Sequence, residues 1–301
     1  MKPQQRPLTE RDLKSLRVFC AVAQAGGFSV AEQRLNMSKA SISRHIREIE
    51  DKLGVQLCER GPAGFRLTLA GTVALEVSEN ALRALDGIRP EIDAVRGILS
   101  GPLTIGMVEQ VLTDPACALP EALVELRRIA PDVSPEILVL THSQLNQALR
   151  ERRIQIGLRG QYQEDKVFHY QPLFIETHRI YVAADVDDEA AHGLPLVHRT
   201  HPFIEQALAT GRFRRGPDAE GLAAVAVFVA TGHYLGLLTE HYADRVNARY
   251  PLRALADGPV FHNPISAITE AYRPLPASAR VFLEILQRCS RRDGVAGATK
   301  P

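Results

Sequence analysis

The sequence predicts an α/β multidomain chain: a small basic helical module with a two-stranded wing, one long linker helix, and a larger α/β body. Three observations predict it. Two short helical patterns with a tight turn between them fill Ser29 to Leu53, and a Gly/Pro-punctuated hairpin pattern follows. An apolar stripe at helical spacing runs from Leu69 to Leu99. From Leu103 onward, short apolar runs alternate with amphipathic helices, as in a mainly parallel sheet covered by helices.

The bulk numbers fit several domains with ample core, since 45% of 301 residues are hydrophobic. Net charge is only +1, but it is unevenly placed. Met1 to Thr68 holds twelve Lys/Arg against seven Asp/Glu, a surplus of five cations, while the remainder carries four excess anions. A basic end on a mildly acidic body suits a chain that meets nucleic acid at one end. Cys20, Cys58, Cys117 and Cys289 are far apart and lack zinc or C-x-x-C spacing, so they read as reduced, structural thiols. The alternative is a redox sensor at Cys117 or Cys289. The N-terminus has no apolar signal core, and the longest strongly apolar run, Leu222 to Ala230, is too short to span a bilayer. A cytoplasmic location without membrane contact is expected.

In order along the chain, Thr9 and Asp12 have the spacing to cap a first helix, which turns Leu13, Leu16, Phe19, Cys20 and Val22 inward and stops at Gly26-Gly27. Ser29 with Glu32 has capping-box spacing for the second helix, and Asn36 sits in the turn. Ser38 is placed to cap the third helix and Gly54 to end it. Ile42, Ile46, Ile49 and Leu53 form its inward stripe. Lys39, Ala40, Ser43, Arg44 and Arg47 lie away from that stripe, a face of small and cationic side chains that fits a B-DNA major groove. An ordinary solvated helix face is the plainer alternative. V-Q-L-C-E-R-G-P-A-G-F-R-L-T then reads as a small hairpin, with Arg60 and Arg66 positioned for backbone phosphates or a minor groove.

The 69–99 stripe is too long for a domain core and favours a helix pair between two subunits, with Pro90 kinking it. Beyond Gly101-Pro102 come the strand L-T-I-G-M, a helix from Pro120 to Ile129, the strand E-I-L-V-L, a helix from Ser143 to Arg152, and the strand I-Q-I-G-L. A second set has strands F-H-Y-Q-P-L-F, H-R-I-Y-V-A-A, L-P-L-V, Y-L-G-L-L and L-R-A-L, with helices from Pro202 and over Leu222 to Ala230. I-S-A-I-T and a helix from Ala277 to Arg288 close the chain, and disorder is expected after Arg291.

The run from Leu16 to Gly71, L-R-V-F-C-A-V-A-Q-A-G-G-F-S-V-A-E-Q-R-L-N-M-S-K-A-S-I-S-R-H-I-R-E-I-E-D-K-L-G onward, strongly resembles the DNA-binding module of LysR-type transcriptional regulators. L-T-I-G-M, A-P-D-V and F-V-A-T-G-H-Y-L-G-L-L-T-E-H-Y-A resemble that family's effector-domain signatures more loosely. The resemblance implies a winged helix-turn-helix at 9–68, a dimerising linker helix at 69–99, and an effector-binding domain at 103–291 of two Rossmann-like, periplasmic-binding-protein-like subdomains. The first subdomain is expected at 103–159 plus 265–291, and the second at 160–264. It implies a homodimer or homotetramer on double-stranded promoter DNA, tuned by a small effector in the cleft. By position, Ser38, Lys39, Ala40, Ser43, Arg44 and Arg47 become the recognition contacts. Lys39-Ala40 stands where Gln-Pro is frequent, which shifts the expected base preference away from adenine.

For the effector, the resemblance points to Val108, Glu109 and Gln110 after the first strand and to Thr141, His142 and Ser143 at a helix N-terminus. The second subdomain contributes from Arg199 to Phe203, with His201 and Phe203 foremost. A carboxylate at Glu109 argues against a purely anionic effector. No cofactor is implied, and G-x-G-x-x-G, P-loop and G-x-S-x-G motifs are absent, so no enzyme is expected. His198 and His201 stand three apart without an obvious third ligand, so no metal is assigned there. The rival to an effector-responsive regulator is a constitutive architectural DNA binder with a filled cleft.

Overall fold

The computed structural model describes residues 7–61, 64–162 and 164–296 and divides into two compact units after Gly97. In the first unit, helix α1 (Glu10–Gln24) starts where Asp12 accepts hydrogen bonds from the Thr9 backbone at 2.7 Å and from its hydroxyl at 2.8 Å. Leu16, Phe19 and Val22 enter the core. Helix α2 (Phe28–Leu35) begins earlier than Ser29 capping requires. Gly27 is its N-cap, at a φ of 151° that only glycine adopts readily, so Ser29 lies inside the helix. Glu32 reaches forward instead and accepts from the Lys39 backbone N–H at 3.1 Å, tying α2 to helix α3 (Lys39–Leu53).

Asn36 adopts the left-handed conformation at the turn, and the Ser38 side chain accepts from the Ser41 N–H at 3.3 Å. Ile42, Ile46 and Ile49 are fully buried, whereas Leu53 is 41% exposed. Leu53 is the last helical residue, and Gly54 turns the chain away before its side chain reaches the core. The wing pairs β1 (Cys58–Gly61) with β2 (Gly64–Leu67) in antiparallel register, Glu59 opposite Arg66. Phe65 meets Phe28 edge-on with ring centroids 6.0 Å apart.

Thr68 caps α4 (Leu69–Asp86), accepting from the Gly71 N–H at 2.9 Å. The expected single linker helix is two helices, divided at Gly87 before α5 (Ile88–Val95). Pro90 has no N–H to bond the Asp86 carbonyl four residues back, so the break just before it agrees with the interruption expected of that proline. One face of α4 is buried through Gly71, Ser78 and Leu82. Arg17 holds Asp86, and Gln24 donates to Glu79 at 2.8 Å, so α1 and α4 are pinned together. The stripe of Leu69, Val73, Val77, Ile88, Ile92 and Val95 faces outward.

The second unit runs β3 (Ser100–Met107), α6 (Leu119–Ile129), β4 (Asp132–Val139), α7 (His142–Arg150), β5 (Ile156–Gly160) and β6 (Phe168–Ala183). It continues with α8 (Asp188–His192), β7 (Leu196–His198), α9 (Pro202–Ala209), β8 (Arg215–Asp218), α10 (Gly221–Ala230) and β9 (Gly236–Thr239). It ends with α11 (Glu240–Asn247), β10 (Leu252–Ala254), β11 (Val260–Glu270) and α12 (Ala277–Ala296). The main sheet is mixed rather than mainly parallel, in the order β10-β6-β11-β5-β3-β4 with β9 also on β6. Within it β3 pairs parallel with β4 and β5, while every pairing of β6 and β11 is antiparallel.

The two strands expected at 168–174 and 178–184 are one, because residues 175–177 stay paired with 262–264 of β11. α12 continues past Arg291, where disorder was expected. Leu103, Ile105, Leu145 and Phe282 centre one core, and Ile180, Leu196, Ile204 and Leu237 centre another. β6 supplies Phe168 to the first and Ile180 to the second, so the chain crosses between lobes inside a strand. No helix among the described residues is long and apolar enough to cross a membrane.

Candidate functional site

The α3 face is built as its sequence requires. Ser38, Lys39, Ala40, Arg44 and Arg47 are exposed and Ser43 is half-buried. Beneath them, buried His45 bonds Ser15 of α1 through Nδ1 at 3.0 Å, which fixes the roll of the helix. Arg44 stands 3.9 Å from Glu48, but Arg11 already holds that carboxylate at 2.5 Å. Lys39 lies 3.9 Å from Glu32, and Arg66 pairs with Glu59 at 3.0 Å across the wing. Exposed pairs of this kind contribute about 0–1 kcal/mol, so a phosphate or guanine edge displaces them easily. The side chain of Arg60 lies outside the described residues.

Between the lobes of the second unit, aromatic and basic groups form a part-buried network. Tyr162 lies 5.5 Å from His142, 4.8 Å from His201 and 5.6 Å from Phe203, centroid to centroid. Phe203 stacks on Phe261 at 4.8 Å. The His201 Nδ1 accepts from the Phe203 backbone N–H at 3.2 Å, so its Nε2 carries the proton and donates to the Tyr162 hydroxyl at 2.8 Å. The Tyr162 hydroxyl proton is thereby left to give. Arg199 Nε and Nη2 and His142 Nε2 are out of solvent with no partner among the described residues. Arg159 behind them is anchored to Asn146 at 3.0 Å and to the Gly160 carbonyl at 2.7 Å. A groove of about 500 Å³ borders Tyr162 between Leu173, Phe174 and Pro264.

Burial, then the charges of Arg159 and Arg199, push the His142 imidazole down to about 4, and burial depresses His201 further. Burial raises Glu176, but hydrogen bonds from His178 and His241 outweigh it and hold the carboxylate at about 2. Histidines kept neutral in the fold bind fewer protons than the unfolded chain below its own pKa of about 6.5. Stability is therefore full above about pH 6.5 and falls as pH drops toward 4. The thermal midpoint should fall between pH 7 and pH 4.5, and less steeply in His142→Gln; equal slopes for both proteins would contradict this.

Of the expected effector residues, His142, His201 and Phe203 meet in this network. Val108 does not, being buried in the first core with its N–H on the Leu158 carbonyl at 3.1 Å. Glu109 is exposed and outside the network, so its carboxylate offers no argument against an anion. Gln110 is half-buried, and its carbonyl accepts from Thr113 at 2.9 Å. Thr141 is committed to its own helix, its hydroxyl accepting from the Gln144 N–H at 3.4 Å and lying 3.2 Å from Ser143. His198 binds Asp218 at 2.7 Å and Glu205 at 3.0 Å, away from His201, so that histidine pair does not converge. Cys117 is buried, which raises its thiol and disfavours the redox alternative there.

Residues 13–72 match the family described as bacterial regulatory helix-turn-helix protein, lysR family, and residues 96–290 match the LysR substrate binding domain. This chain belongs to the LysR family. The LysR-type chain is 27% identical over 247 residues to the HTH-type transcriptional activator BauR of Pseudomonas aeruginosa, covering 78% of this chain and 81% of that one. It is 34% identical over 147 residues to the probable regulator LrrA of Synechococcus elongatus, about half of each chain at 49%. Full-length OxyR from P. aeruginosa (TM-score 0.63, 22% identity, 92% of this chain and 98% of that) shares its fold. So does the LysR family regulator CbnR in complex with its target DNA (TM-score 0.65, 20% identity, 92% and 99%). The LysR-type protein is thus a DNA-binding transcriptional regulator with an effector-binding body, not an enzyme.

Sequence reading missed Tyr162, Glu176, His178 and Asn263 in this regulator. The one available signal was Glu176 and His178 at period two in a strand, which puts both on one face, and that face is buried there.

Proposed function

We propose that the chain reads promoter DNA with Ser38, Lys39, Ala40, Ser43, Arg44 and Arg47, with Arg60 and Arg66 of the wing on the backbone, and that a small organic anion between the lobes tunes that contact. The DNA-binding module is residues 9–68, the linker 69–99 and the effector domain 103–291. Its location is the cytoplasm. The observation that carries the effector reading is the unused donor set of Arg199 and Tyr162 beside His142, His201 and Phe203. A guanidinium with two of its nitrogens out of solvent and unpartnered stays charged and gains from an anion. The outward stripe on α4 and α5 supports a homo-oligomer, as a solvent-exposed row of Leu, Val and Ile gains by pairing with its copy. Sedimentation tests it, and a monomer at micromolar concentration would refute it.

Arg44→Ala should weaken binding to the chain's own promoter by about 1–3 kcal/mol and relax its sequence preference, with little loss on random DNA. A footprint unchanged in strength and sequence would move the recognition face elsewhere. An effector-dependent footprint separates this reading from a constitutive architectural binder.

A further inference from the structure

Beside the Arg199–Tyr162 network, and joined to it through His178, whose ring lies 5.3 Å from that of His201, three side chains from three segments converge on one point. Asp114 follows the turn after β3, Glu176 lies mid-way along β6, and His241 opens α11. Their ligand atoms all lie within 4.8 Å of one another. His241 Nε2 is 3.0 Å from Glu176 Oε1 and 3.7 Å from Asp114 Oδ2, and the three side chains are 11%, 1% and 5% exposed in chain order. Ligands about 2.0–2.2 Å from a tetrahedral zinc stand roughly 3.3 Å apart, close to these spacings.

The other polar atom of each side chain is already held. Asp114 Oδ1 accepts from the Ala116 N–H at 2.8 Å. Glu176 Oε2 accepts from His178 Nε2 at 2.8 Å. His241 Nδ1 lies 2.8 Å from the Thr113 hydroxyl. Outer partners of this kind orient metal ligands.

Counting protons shows what the point lacks. Thr113 has one hydroxyl proton, and it goes to the Gln110 carbonyl at 2.9 Å. The Thr113 oxygen must then accept from His241 Nδ1–H. His241 Nε2 then faces Glu176 Oε1 and Asp114 Oδ2, and a cation must stand between them, either the proton of its bond to Glu176 or a metal ion in that proton's place. Asn263, the cross-strand partner of Glu176 and so on the same sheet face, is 1% exposed with neither amide atom satisfied. Buried His178 Nδ1 has no partner either.

We propose that Asp114, Glu176 and His241 form a binding site for a divalent cation of the zinc class, with Thr113 and His178 as positioning residues. Asp114 belongs to the segment of the first core, His241 to a helix packed on the second lobe, and Glu176 to the strand that crosses between them. A bound ion therefore cross-links the lobes.

The full chain, freed of metal by chelator dialysis, is titrated with Co²⁺ and then Zn²⁺. One Co²⁺ per chain with visible d–d absorption, displaced by Zn²⁺, is expected. His241→Gln and Glu176→Gln should each weaken Co²⁺ binding at least 100-fold, Thr113→Val about 10-fold, and His198→Gln not at all. Circular dichroism establishes that each variant is folded. Absence of stoichiometric Co²⁺ in the wild type would mean that a proton alone fills the point, and the proposal falls. It falls equally if folded His241→Gln binds as the wild type does, or if His198→Gln abolishes binding.

Discussion

Gly71→Ala is expected to destabilise the N-terminal unit by about 3 kcal/mol or more, without touching a residue that faces DNA. A Cβ at Gly71 would stand 1.8 Å from the Leu57 carbonyl oxygen and 2.8 Å from its carbon. That backbone has no room to retreat. The Leu57 N–H donates to Glu50 at 2.8 Å, and its carbonyl accepts from the Thr68 N–H at 3.0 Å. Moving α4 instead breaks the Thr68 cap on the Gly71 N–H and pulls Leu82 from the core. Gly87→Ala is the control, because the nearest atom there is 3.3 Å away and φ is −75°. Its helix gain of about 1 kcal/mol roughly offsets the tight contact. Urea unfolding of both variants decides the matter; a Gly71→Ala protein within 1 kcal/mol of wild type would show that the contact yields.

Arg199→Met should have two opposite effects. The ligand-free protein should become more stable, because a guanidinium with two nitrogens out of solvent and unpartnered is removed and its aliphatic volume is kept. Stabilisation by any organic anion that raises the wild-type melting midpoint should disappear, with affinity falling on the order of 30-fold or more from the loss of charge-assisted bonds of about 1.5–3 kcal/mol each. A thermal-shift panel of carboxylic acids, amino acids and amines on both proteins measures this. Equal responses in the two proteins would remove Arg199 from the site, and a response to amines alone would reverse the sign of the ligand.

The N-terminal unit was largely legible in sequence because its signals are local. Thr9 with Asp12, Ser38 before α3, Gly54 after it, and the four-and-three spacing of Ile42, Ile46 and Ile49 are each read within a few residues. The reading failed where a neighbour outbid the local pattern. Ser29 lost the cap to Gly27, whose backbone freedom lies in no side-chain pattern, and Glu32 found its partner on the next helix. The interlobe site was less legible because its residues come from distant strands. Glu176, Asn263 and His241 meet only through the antiparallel pairing of β6 with β11 and the packing of α11. The same long-range pairing turned an expected parallel sheet into a mixed one. Val108 and Thr141 stand at the strand end and helix start where they were sought, but packing and capping claim them.

The unbroken crossing strands constrain how the lobes move. β6 and β11 stay in register through eleven residue pairs, from Val260 opposite Arg179 to Glu270 opposite Phe168, with a single slip between Ile265 and Ser266. Two lobes on a flexible tether swing as a door does. Two lobes on one hydrogen-bonded ribbon wring like a cloth, since shear or separation would break the ladder while twist leaves it whole. The single bulge is the softest place for that torsion to gather. A signal arriving between the lobes of this regulator therefore leaves as rotation, small in angle and grown into displacement by the distance from the axis.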